Sequence, residues 1–228
     1  MGVESIRVDN TDRLSGTMKG YGDIVPERSM SKQEINDFIN GEFAKAQESK
    51  ESMDLDGYLS EIFDCSEEDI EIPFYITDDI DELLRLFDIQ EWDVLDESDK
   101  VLISTEFVKC VADELGVEKC PSICLSDELD AEARYNSRDN VIELNIDFID
   151  DPIEIVDSLA HELRHAYQHE RTEKLENQKD LLFRLNFDFY ITPETDSNGC
   201  YINFYDYYNQ YVECDARAFA NIFTEAIA

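Results

Sequence analysis

The chain of 228 residues predicts a mixed α+β fold. Three observations carry this: apolar residues recur at helical spacing over 152–170 and 211–227, a third helical pattern covers 104–115, and two short runs at 120–125 and 141–147 read as strands. There is no internal repeat.

Taken in order, residues 1–30 mix glycines with short polar runs and are expected to form a loose arm. Residues 31–100 read as an acidic helical region. Ser31-Lys32-Gln33-Glu34 is a capping box ahead of Ile35, Phe38, Ile39 and Phe43, and Asp78 or Asp79 precedes Ile80, Leu83, Leu84 and Phe87 at helical spacing. The helix at 104–115 takes Ser104 or Thr105 as its cap, Phe107, Val108, Val111 and Leu115 as its apolar face, and Gly116 as its terminator. In the second strand Ile142, Leu144 and Ile146 alternate with Glu143, Asn145 and Asp147, and the segment 135–140 before it has turn chemistry. Asp151-Pro152-Ile153-Glu154 opens the next helix with a cap, a proline at the first helical position and a carboxylate in the first turn. Val156, Leu159, Ala160, Leu163 and Tyr167 form its buried stripe, and it is expected to end near Glu170. A loop rich in aromatics follows. The last helix begins at Tyr211 with the stripe Val212, Ala216, Phe219, Ala220, Phe223 and Ile227.

The formal charge is −36, and 28 of the 55 acidic residues fall in the first hundred positions, so the charge is distributed and is no acidic tail. Such a surface repels phosphates, which argues against nucleic acid and anionic membranes as partners. The apolar content of 43% is enough for a proper core. The first residues lack the basic and apolar regions of a secretory signal, and no run of apolar residues is long enough to span a bilayer. A cytoplasmic protein with reduced cysteines is the expectation.

All three histidines lie within 161–169, and His161-Glu162-Leu163-Arg164-His165 reads HExxH. Residues four apart share a helix face, so His161 and His165 can aim two imidazoles at one metal ion. Glu162, rotated by about 100° from His161, lies beside the open coordination position, where a carboxylate can accept a proton from water. His169 stands about 12 Å beyond His161 on a continuous helix and cannot share that ion; it is read as a surface or cleft-rim residue. A catalytic zinc site needs a third protein ligand. Glu213, one turn inside the last helix, is the candidate, with Asp215 as the alternative or as a carboxylate that holds a histidine N–H. Tyr208 and Tyr211 are candidate hydrogen-bond donors to a developing oxyanion.

HELRHAYQ followed downstream by Glu213-Cys214-Asp215-Ala216-Arg217-Ala218-Phe219-Ala220 resembles the gluzincin class of zincin metallopeptidases, and most resembles the small bacterial zincins of the ImmA/IrrE type. The resemblance covers roughly 101–228. It implies a minimal zincin fold, a small sheet over an active-site helix and a second ligand helix, with an edge strand just before the active-site helix lining the cleft. It also implies one zinc ion per chain held by His161, His165 and Glu213, with Glu162 as catalytic base. Two departures stand out. The stretch from His165 to Glu213 is long, implying an insertion over the cleft, and Arg217 stands where those families carry an acidic residue or asparagine. The expected activity is hydrolysis of peptide bonds in a protein or peptide substrate. The alternative is a catalytically inactive zincin-fold module that binds a polypeptide.

Overall fold

The computed structural model describes residues 67, 70–129, 131–198 and 200–227. The expected arm at 1–30 and the capping box at 31–34 lie outside these residues. The described chain is mixed α+β: α1 (Asp78–Leu84), α2 (Ile89–Trp92), α3 (Glu97–Leu115), β1 (Ser122–Ser126), β2 (Ala133–Asn136), β3 (Val141–Asn145), α4 (Pro152–Lys174), α5 (Gln178–Asp188), α6 (Phe204–Tyr208) and α7 (Tyr211–Ile227). The chain divides into two compact units, one comprising Ile72–Glu170 and Asp215–Ala228 and the other including Arg171–Cys214. Among the described residues no helix is long and apolar enough to cross a membrane.

The first unit is built on α3, the sheet and most of α4. α3 begins a full two turns earlier than expected. Its cap is Asp96, whose side chain accepts from the Asp99 N–H; Ser104 is buried inside the helix, and the Thr105 hydroxyl donates back to the Val101 carbonyl. The first turn, Glu97-Ser98-Asp99-Lys100, is polar and hid the true start, while Val101 and Ile103 in the next turn pack against the core. Gly116 closes the helix in the left-handed conformation, φ 76°. α1 is capped by Thr77 rather than by the aspartates after it, which leaves Asp78 and Asp79 in the first turn, where carboxylates favour the helix dipole.

The sheet has strand order β1-β3-β2, with β1 parallel and β2 antiparallel to β3. β2 was not expected, and it changes the roles of the others: the strand nearest α4 in sequence, β3, is central, and β1 and β2 are the edges. The short polar run Ala133-Arg134-Tyr135-Asn136 hid β2, which pairs with β3 through a tight turn. There the Asn136 carboxamide oxygen accepts from the Arg138 and Asp139 N–H groups, and Asn140 takes φ 54°, a conformation asparagine tolerates. Ile142 and Leu144 of β3 point into the core, while Ile146 falls in a 3-10 turn, Ile146–Phe148, that ends the strand early.

α4 begins at Pro152 under Asp151, whose carboxylate accepts from the N–H groups of Ile153 and Glu154. It runs one turn past the expected end. Val156, Leu159, Ala160 and Leu163 are fully buried with Phe219, Ala220 and Phe223 of α7, Phe107 of α3 and Trp92. Aromatic edges interlock around Phe223: its ring centroid lies 5.5 Å from Phe74, 5.4 Å from Phe107 and 5.2 Å from Phe219. Trp92 stacks on Phe87 at 4.8 Å and donates its indole N–H to the Ile149 carbonyl at 2.9 Å.

In the second unit the expected aromatic loop contains two helices. α5 is opened by a full capping box between Asn177 and Asp180, and Asp180 also receives the Arg171 guanidinium through both carboxylate oxygens. Leu181, Leu182, Phe183 and Leu185 are buried, and the Phe183 ring packs against Tyr211 at 5.7 Å. Asn186 accepts from the Val212 N–H and donates to Gln210, which satisfies the start of α7.

Removing the Phe223 ring leaves a cavity among three aromatic neighbours. Phe223→Ala is expected to cost about 3–5 kcal/mol in denaturant unfolding, whereas Leu102→Ala, at a residue 60% exposed, stays within about 0.5 kcal/mol.

Candidate metal centre

α4 carries His161, Glu162 and His165 on the flank away from its buried stripe, and α7 carries Glu213 and Asp215 in its first turns. The ligand atoms of His161, His165 and Glu213 all lie within 4.8 Å of one another, the grouping of this kind among the described residues. The two imidazoles face each other through their Nε2 atoms at 3.0 Å, with the rings near perpendicular. For Zn–N bonds of about 2.0–2.1 Å in a tetrahedral site, two ligating nitrogens sit roughly 3.3 Å apart. The pair is therefore spaced close to what a single zinc ion requires. Glu213 is 2% exposed, and a buried carboxylate beside two imidazoles is a donor set suited to a divalent cation.

A tyrosine holds Glu213. The Tyr190 hydroxyl donates to Glu213 Oε1 at 2.6 Å, and burial first, then the Glu213 charge, pushes the phenol's pKa up, so it stays a donor. Tyr190 stands in the aromatic segment but was not singled out, because sequence distance pointed to Tyr208 and Tyr211. Tyr208 donates to Glu67 at 3.2 Å, and Tyr211 is buried against Phe183.

Asp215 faces α4 but not the metal position. Both of its oxygens accept from Arg164, at 2.7 and 3.1 Å, and Oδ2 also accepts from the Gln168 amide at 2.9 Å. Arg164, Gln168 and Asp215 are all buried, and the guanidinium lies over the rings of Tyr167 and Phe219 at 4.5 and 5.1 Å. Gln168 in turn contacts His165 Nδ1 through Oε1 at 2.8 Å. The carboxylate read as a histidine's partner thus reaches His165 through an intervening amide. Gln168 and Arg164 were missed as site residues; the available signal was their spacing of three from and one before His165 on the same helix.

Glu162 Oε2 accepts the Tyr135 N–H of edge strand β2 at 2.6 Å. The carboxylate of the motif is thereby set against the strand edge rather than loose in solvent. His169 is half-buried, with its ring 5.8 Å from that of Tyr135. Burial, with a smaller effect from His165, lowers its pKa from about 6.5 to about 4.

The chain matches no family model, no curated protein and no solved structure in the comparisons made.

The lowered pKa of His169 has a definite sign for stability. Between about pH 6.5 and 4 the unfolded chain binds a proton there that the folded chain does not, so stability falls as pH falls through that window and the effect vanishes above it. His169→Gln is expected to lose less stability than the wild type from pH 7 to pH 4, as read by thermal melts of both proteins across the range.

Proposed function

We propose that the chain is a mononuclear zinc metallopeptidase of the zincin type, with His161, His165 and Glu213 as ligands and Glu162 as general acid and base. The observation that carries this reading is the convergence of the three ligand atoms from two helices, with the motif carboxylate one residue from the first histidine. Zinc bound there would supply Lewis acidity, lowering the pKa of a coordinated water towards about 7 and polarising the scissile carbonyl.

The remaining chemistry belongs to the chain's own groups. The Glu162 carboxylate takes the proton from the attacking water and delivers it to the departing amine nitrogen. To do so it exchanges the Tyr135 N–H for water, and that N–H, released at the edge of β2, becomes a donor for an extended substrate backbone. Tyr190 holds one Glu213 oxygen and so orients that carboxylate. A small mixed sheet ahead of the HExxH helix, followed by a second ligand helix, supports a zincin-like arrangement.

A second reading, a module that binds a polypeptide without cutting it, draws on the Tyr135 bond that engages Glu162 in this conformation. One variant separates the two. Glu162→Gln is expected to keep its zinc and to lose about 10²–10⁴ in turnover of a fluorogenic peptide library. Equal turnover at equal zinc content would sink the assignment of Glu162, and no turnover by the zinc-loaded wild type would favour the binding module.

A further inference from the structure

Arg164, Asp215, Gln168 and His165 form a chain of donors and acceptors that runs in one direction only. A guanidinium has donors and no acceptor, and the Asp215 carboxylate facing it is an acceptor. The Gln168 group 2.9 Å from that carboxylate must therefore be its NH₂, which turns the carboxamide oxygen towards His165 Nδ1 at 2.8 Å. An oxygen there accepts, so Nδ1 has to carry a proton. In the neutral ring this leaves Nε2 bare, with its lone pair directed at His161 Nε2, 3.0 Å away.

From this we infer that Arg164, Asp215 and Gln168 are positioning residues that fix His165 as its Nδ1–H tautomer and present a bare Nε2 at the metal position. The tautomer follows from the hydrogen-bond geometry alone; only its consequence for metal affinity rests on the zinc reading above. The two histidines are consequently inequivalent before any ion arrives. His165 accepts and His161 donates across the 3.0 Å contact. His161 must move its Nε2 proton away to become a ligand, and His165 needs no change. Asp215 contributes its charge to the relay, with both oxygens on Arg164, which explains why Glu213, two residues earlier on the same helix, is the carboxylate left for the ion.

The test uses long-range ¹H–¹⁵N correlation spectra of the histidine side chains in the full chain without metal, tractable because there are three histidines. His165 is expected to show a protonated Nδ1 and an unprotonated Nε2. Gln168→Met removes the amide and leaves the Arg164–Asp215 pair intact; it should lose the fixed tautomer and weaken zinc binding about 10–100-fold in chelator competition. A wild-type His165 protonated at Nε2 would overturn the inference whether or not any variant folds, as would an unchanged His165 tautomer in Gln168→Met. If the wild type takes up no zinc, the proposed function falls, while the spectra still decide the relay.

Discussion

The buried ion pair between Arg164 and Asp215 is the constraint on which the site depends. Both groups are withdrawn from water, with Arg164 further covered by Tyr167 and Phe219. Desolvating two charges is expensive, and removing one partner of such a pair typically costs about 3–5 kcal/mol because the other is left buried and uncompensated. The pair therefore admits few alternative registers of α4 against Asp215. A side chain of α4 is pinned to the second turn of α7, and the aromatic contacts around Phe223 hold the same helix about two turns further along. Helix periodicity then dictates the rest: His165 follows Arg164 by one residue, and Glu213 precedes Asp215 by two.

The same pair divides labour between two carboxylates. Asp215 is committed through both oxygens to Arg164 and through one of them to Gln168, so its charge is spent on order. Glu213 is held through one oxygen by a neutral phenol, which orients it without neutralising it. The second arrangement orients a carboxylate with an oxygen within 4.8 Å of a ring nitrogen of each of His161 and His165. Glu162 differs again: it is held by a single backbone N–H at a sheet edge, a partner that water or a substrate can replace.

Much of this was legible in the residues, for physical reasons that can be named. The stripes of α4 and α7 are strictly periodic, and Asp151 and Gly116 are strong caps, so those elements and their inward faces read directly. HExxH and Glu213 could be paired because a helix converts spacing into direction. What failed was information stored outside local pattern. β2 is polar and four residues long, and its identity comes from its pairing with β3. The start of α3 lies in an exposed acidic turn with no apolar signal. Tyr190 could not be chosen among ten aromatics in its segment, because its contact with Glu213 spans 23 positions of chain. Gln168 was visible as a residue but its meaning depends on Asp215, 47 positions later.

The central claim is that three side chains from two helices make one metal site, and metal content tests it most directly. Elemental mass spectrometry on the full chain purified without added metal, beside His161→Ala and Glu213→Ala, is predicted to find about one zinc per wild-type chain and little or none in either variant. Wild-type protein that stays free of zinc after reconstitution, or variants that keep it at the wild-type level, would contradict the account.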